Sequence, residues 1–419
     1  MTAPGGSGVG VEDAAAAART ELPPAVASRF DDGLRRRLID LRRAIHADPE
    51  LSFQEERTAS RLEQALAELQ PASLARVAGT GVVARIRGRD AHAPVVAVRG
   101  DIDALPIAED TGLPFASRNA GVMHACGHDI HATWAVGAAA LLARDPAQGD
   151  VLVVLQPAEE TGRGAPAMLA SGALDGARAI FGAHVDRRFA VGQVVADEGP
   201  LAASADTFTI ELAGQGAHAA RPHEAADPIV GLGALIGALQ TIVSRRLNPA
   251  TPGVVTIGTV RAGSASNVIP EGASLSGTVR AVDAASRRLM LDEVRRIAET
   301  TAAAYRLTAR VDLDMGTPPI VNPAGATAWA REAARALVGA ENVVPLGFLN
   351  LAGEDFAHYM ERIPGCFLRV GAREAGGTPI PAHAPKFYAA EESLFVGAAV
   401  LAEAARVASR ALAADASSR

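Results

Sequence analysis

Two runs, PVVAVR at 94–99 and VLVVL at 151–155, are apolar at almost every position. A strand with one wet face alternates apolar and polar side chains. An unbroken run therefore predicts a strand covered on both faces. Residues 79–87 and 180–185 read as further strands, with helical patterns over 30–69 and 133–143. Pro49 interrupts the first helical stretch, because proline lacks the N–H and clashes with the preceding turn. Strands alternating with helices predict an α/β sheet with helices on both faces.

The pattern changes near Gly199. TFTIEL at 207–212 alternates apolar and polar residues, as a half-exposed antiparallel strand does. A long helical stretch follows over 228–245, then the alternating segments GVVTIGTVRAG and ASLSGTVRAV. A second helix over 285–305 and a strand over 309–314 complete the series. This β-α-β-β-α-β order is ferredoxin-like. At 419 residues the chain exceeds what one core usually holds. The expected organisation is a main α/β domain built from 30–198 and 314–419, an α+β domain inserted over 199–313, and a disordered extension over 1–29.

Composition narrows the partners. The net charge of -7 is spread along the chain, and no basic patch interleaved with aromatics suggests nucleic acid. No run of about 18 apolar residues suggests a membrane helix. The Gly- and Pro-rich start lacks the apolar stretch of a signal peptide, so a cytoplasmic location is expected. The only cysteines, Cys126 and Cys366, do not make a disulfide framework. Cys126, set among histidines, is a candidate metal ligand or nucleophile.

The densest chemistry is MHACGHDIH at 123–131, where Cys126 and His128 flank Gly127. Thiolate and imidazole are good ligands for zinc and related metals, and glycine permits the tight bend between them. Glu159 and Glu160 follow the VLVVL strand, at the strand end where open α/β sheets bind ligands. Adjacent carboxylates in an extended segment point to opposite sides, so Glu160 is a candidate ligand and Glu159 a candidate general base. Asp103, after PVVAVR, is placed to orient a ligating imidazole. His184 ends another short strand, and His383 sits between Pro381 and Pro385. Taken alone, these last two read as a core and a turn histidine.

Together these motifs resemble the M20 metallopeptidases, in the branch of aminoacylases, hippurate hydrolases and indole-acetyl-amino-acid hydrolases. The resemblance runs from HADPELSFQE through GDIDALPI, GVMHACGHDIHAT, LQPAEETGRGA and GAHV. It continues through GQGAHAARPHEAADPI, SNVIP and GTVR to AGEDFAHY and AHAPKF. It implies two divalent ions (Zn, Mn, Co or Ni) held by Cys126, His128, Glu160, His184 and His383. It also implies Glu159 as general base, Asp103 as the orienting acid, and Cys126 in a position to touch both ions. His218 resembles a histidine that reaches the scissile carbonyl, while Asn267 and Arg280 match positions that hold the substrate carboxylate. Read alone, His218 is a turn cap, Asn267 a loop residue and Arg280 an exposed strand charge. The implied activity is amide hydrolysis of N-acyl amino acids, with a dipeptidase, a carboxypeptidase or an N-acetyl-diaminopimelate-type deacetylase as alternative. The substrate is then a small N-acyl amino acid or short peptide. The same resemblance implies that the inserted domain serves as lid and dimerisation domain of a homodimer or dimer-based oligomer. The chain departs from the family pattern at Ile130, in VDRRFA after His184, and at Ala382 and Ala384.

Overall fold

The computed structural model describes residues 21–417, which form two compact units. The first comprises residues 21–197, Pro323–Leu346 and residues 359–417; the second comprises Glu198–Asn322 and Gly347–His358.

The first unit is built on a seven-stranded sheet. Its order is Ser73–Val77, Gly81–Ile86, Val151–Gln156, Val95–Asp101, Ala177–Ala190, Gly365–Arg373 and Val194–Val195. The four middle strands run parallel, and the outer pairings are antiparallel. Every residue of Val151–Gln156 is buried, which is why that strand carries no alternation. The helix His128–Arg144 packs on Val95–Asp101, on Val151–Gln156 and on the helix Glu392–Ser417. It is buried continuously from His128 to Leu142, so its sequence shows no polar stripe. It starts at His128 rather than 133, so the chemically dense loop runs directly into a helix N-terminus. Ser73–Val77 and Gly365–Arg373 are strands that periodicity did not reveal.

The expected disordered extension to residue 29 is too long. Pro24–Ala27 forms a helical turn, and Val26 and Phe30 are buried in the core that holds Leu34 and Leu38. Residues 1–20 lie outside the described residues.

The second unit carries a four-stranded antiparallel sheet in the order Gly253–Ala262, Gly272–Ala281, Ala205–Ala213, Thr308–Thr317. Numbered along the chain, this is the 2-3-1-4 arrangement of a ferredoxin-like domain. The helices Pro228–Leu239 and Ala284–Ala304 pack on the sheet around Phe208, Ile210, Leu235, Val279 and Val294. The first helix ends at Leu239, earlier than its sequence pattern, and a π-helical turn follows over Ile242–Arg246. The unit also exceeds 199–313. The last strand runs to Thr317, Ile320–Asn322 pairs with Gly199–Ala202, and the Ala203 N–H donates to Ala352 O at 3.2 Å.

Candidate metal centre

The site residues of the first unit gather where the parallel strands end. Asp101 closes Val95–Asp101, Asp103 follows two residues later, and Glu159 and Glu160 follow Val151–Gln156. Arg99 pairs with Gly182. Two residues on along both strands, His184 is therefore level with Asp101, although its own strand continues to Ala190. His383 reaches the cluster through its backbone, whose N–H donates to Ala125 O at 2.8 Å.

The imidazoles are oriented by their other nitrogens. His128 Nδ1 donates to the Asp103 carbonyl at 2.9 Å, with Asp103 Oδ1 at 3.2 Å. His184 Nδ1 donates to Val185 O at 2.7 Å. Each Nε2 is thus left with its lone pair, the state that binds a metal. His184 Nε2 lies 3.2 Å from Cys126 Sγ. His131 is different. The Val185 N–H donates to its Nε2 at 2.9 Å, so Nδ1 carries the proton and donates to Asp101 Oδ1 at 2.6 Å. Asp101, His128 and His131 form a compact donor group, but both nitrogens of His131 are committed within the protein.

The remaining donors fall into two overlapping sets. Cys126, His128 and His184 present ligand atoms within 4.8 Å of one another, and so do Cys126, Glu160 and His383. Cys126 belongs to both. His128 Nε2 and Glu160 Oε1 are buried without hydrogen-bond partners, 3.8 Å apart. Unpaired buried polar atoms are costly, and two that face each other among thiol and imidazole donors fit bound cations. Soft sulfur with nitrogen and oxygen donors suits zinc and neighbouring first-row ions.

Electrostatics agree with a cationic occupant. Burial, with the charge of Glu160, pushes the Cys126 thiol up to about 12; a divalent ion opposes both effects and favours the thiolate. Burial works against a charged His128, but Asp101 and the hydrogen bond that Asp103 accepts overcome it and raise the pKa well above the ordinary value; a bound cation would take the place of the Nε2 proton that this anionic setting favours. Burial holds His184 well below it, helped by His131. The hydrogen bond to Glu160 raises His383.

Glu159 and Glu160 do not lie in an extended segment. They open a 3-10 turn, Glu159–Thr161, entered through Ala158 at φ 54°. Three consecutive backbone N–H groups explain it. Ala158 donates to Glu55 Oε1 at 3.0 Å, and Glu159 and Glu160 donate to Asp103 Oδ1 and Oδ2, each at 3.1 Å. Both side chains consequently turn toward the same imidazole: Glu159 Oε2 lies 3.9 Å from His128 Nε2 and Glu160 Oε1 3.8 Å. Gly127 takes φ 85°, and a Cβ there would meet Val185 Cγ2 at 2.5 Å. A side chain there would be strained by the positive φ and would have to displace the Val185 side chain.

The protein family model described as Peptidase family M20/M25/M40 matches residues 97–407. This chain belongs to the M20 family. It is 43% identical, over 81% of each chain, to an N-acetyl-L-cysteine deacetylase of Bacillus subtilis. It is 36% identical to the IAA-amino acid hydrolase ILR1-like 4 of Arabidopsis thaliana, over 88% of this chain and 84% of the relative. Among solved structures it resembles the Bacillus subtilis YXEP protein, described as a dinuclear metal binding peptidase of this family. The TM-score is 0.81 at 39% identity, over 91% of this chain and 99% of the other. This M20 chain is a metal-dependent amidohydrolase, and its two donor sets sharing Cys126 match the two-metal description of that structural relative.

The other three residues singled out from the sequence lie in the second unit. His218 pairs with Val268, and the Ala219 N–H donates to Asn267 O at 3.1 Å, so the backbone brings His218 and Asn267 together. Both side chains are exposed. Arg280 is half-buried and lies at the far end of Gly272–Ala281, roughly 26 Å along the strand from Gly272 at ~3.3 Å per residue. Site residues that sequence reasoning overlooked in this M20 chain are Glu55, Asp101 and His131. Their signal was present: Asp101 and Asp103 close an apolar strand, and Glu55 lies in the HADPELSFQE motif.

Proposed function

We propose that the enzyme hydrolyses the amide bond of small N-acyl amino acids, releasing a carboxylic acid and a free amino acid. The observation that carries this is the placement of Glu159 beside two donor sets that share Cys126. The deacetylase name of a relative 43% identical supports a small acyl group. We assign Cys126, His128 and His184 to one ion, and Cys126, Glu160 and His383 to the other.

Bound there, two divalent ions supply Lewis acidity and lower the pKa of water. The chain's residues do the rest. Asp103 accepts from His128 Nδ1 and from the backbone of both glutamates, so it fixes base and ligands together. Glu159 Oε2 takes a proton from the attacking water as its oxygen adds to the amide carbonyl carbon. The same carboxyl then gives that proton to the departing amine nitrogen as the C–N bond breaks. The second unit contributes His218, donating to the carbonyl oxygen as it becomes negative. Arg280 binds the substrate carboxylate, for which a guanidinium fork is well matched; Asn267, which lies with His218 away from Arg280, reaches the same carboxylate from a second copy of the chain. Ile229, Val230, Val260 and Val268 of that unit are exposed apolar residues, which supports self-association as a homodimer; sedimentation of the full chain tests it.

The decisive assay sets N-acetyl, N-benzoyl and indole-acetyl amino acids beside free dipeptides, before and after metal removal and re-addition. N-acyl amino acids should exceed dipeptides by at least about tenfold in kcat/KM, a modest discrimination for an enzyme pocket. Chelation should abolish turnover and metal should restore it. In the same panel Arg280→Ala should raise KM for substrates with a free carboxylate. A preference for dipeptides would make the enzyme a peptidase. Turnover that survives chelation, with a thiol-acyl adduct at Cys126, would make it a cysteine hydrolase.

A further inference from the structure

Arg187 lies three positions beyond His184 on the Ala177–Ala190 strand and is 2% exposed. Its guanidinium faces the 374–388 segment, which carries His383. Nη1 donates to Glu374 Oε2 at 2.8 Å, to Tyr388 O at 3.1 Å and to Ala372 O at 3.3 Å. Nη2 donates to Thr378 O at 2.9 Å and to Glu374 Oε1 at 3.1 Å. The group also lies 4.2 Å from the centroid of the Tyr388 ring, and Tyr388 Oη donates to Glu374 Oε1 at 2.5 Å. One buried cation therefore grips both ends of the segment and a point within it.

His383 depends on such anchoring. Its φ is 66°, a left-handed conformation that residues with a Cβ disfavour. Its ring is 54% exposed, with Glu160 Oε2 at 3.5 Å, so packing does little to place it. What places it is the backbone of the segment, through the N–H bond to Ala125 O beside Cys126. His184 and Arg187 share one strand. The strand that supplies a donor to the first ion thus also fixes the segment that supplies a donor to the second.

We infer that Arg187 is a positioning residue for the second metal ion, holding the 374–388 segment so that His383 meets Cys126 and Glu160. The inference rests on the ligand role proposed for His383. Lysine cannot replace the fork, because a single ammonium cannot reach acceptors on both sides of the segment at once.

The test is calorimetric titration of the metal-free full chain with Mn(II) or Co(II), checked by elemental analysis. Wild type should bind two ions. Arg187→Lys should keep the first ion at wild-type affinity and bind the second about 10- to 100-fold more weakly, the range seen when partners of metal ligands are changed. Glu374→Gln should weaken the second ion in the same sense but less, since the carbonyl contacts remain. Should Arg187→Lys not fold, Glu374→Gln and Tyr388→Phe carry the comparison. Unchanged affinities, or equal weakening of both ions, would overturn the inference. His383→Ala is the reference: it should lose the second ion, and if it retains both, the ligand assignment itself falls.

Discussion

Replacing Glu159 with Gln should reduce kcat by roughly 100- to 10,000-fold, the range that a positioned general acid–base group contributes, while both ions remain bound. The substitution keeps the shape of the side chain and removes the carboxylate's ability to take and return a proton. The turn that carries it should survive, because it is held by backbone N–H groups to Glu55 and Asp103 rather than by the Glu159 side chain. The measurement pairs steady-state kinetics with elemental analysis of the same preparation. Near wild-type turnover would remove Glu159 from the mechanism. Loss of an ion together with turnover would make it a ligand instead.

The second large effect concerns stability. Asp129 is 1% exposed and accepts from Arg42 Nε at 2.7 Å, with His46 Nδ1 at 2.8 Å. Arg42 and His46 are each 1% exposed as well. Breaking a buried pair strands the surviving charge, at a cost of about 3–5 kcal/mol. Asp129→Asn should therefore lower the denaturant midpoint sharply with little change in m. The double variant Arg42→Met/Asp129→Asn should be less destabilised than the sum of the singles. A pH dependence follows from His46. Burial lowers its pKa, but Asp129 and Glu109 outweigh burial and the net shift is upward from 6.5. A raised histidine contributes stability fully below its ordinary value and loses it as pH rises through the folded value. The gap between wild type and Asp129→Asn should be widest below pH 6.5 and narrow above it. A gap that widens with pH would contradict this account of the network.

How much of this was legible in the sequence depends on how local each signal is. The buried strand Val151–Gln156 and the alternating strand Ala205–Ala213 announced themselves because side-chain period reports burial directly. Ser73–Val77 did not, since most of it is exposed or half-exposed at the sheet edge. Cys126, His128, Glu159 and Glu160 stood out because the chemistry clusters within a few residues. His184 and His383 had no such context. They join the cluster through parallel strand register and through one backbone hydrogen bond, neither of which has a local pattern. The residues around Glu159 read as extended, and the turn they form has its cause far away in the chain, in Glu55 and Asp103. Arg42 and His46 are polar residues on the buried face of the helix Asp32–His46, among Leu34, Leu38 and Ile45. Four residues apart, they share one face, a signal that a search for metal-ligand spacing passes over.

Two ions sharing one thiolate are the centre of the proposed chemistry. Anomalous diffraction from metal-loaded crystals, recorded on either side of the metal absorption edge, addresses this directly. It should give two peaks, one beside His128 and His184 and one beside Glu160 and His383, with Cys126 Sγ at a bonding distance of about 2.3 Å from each if the ions are zinc. A single peak, or a peak beside Asp101 and His131, would contradict it.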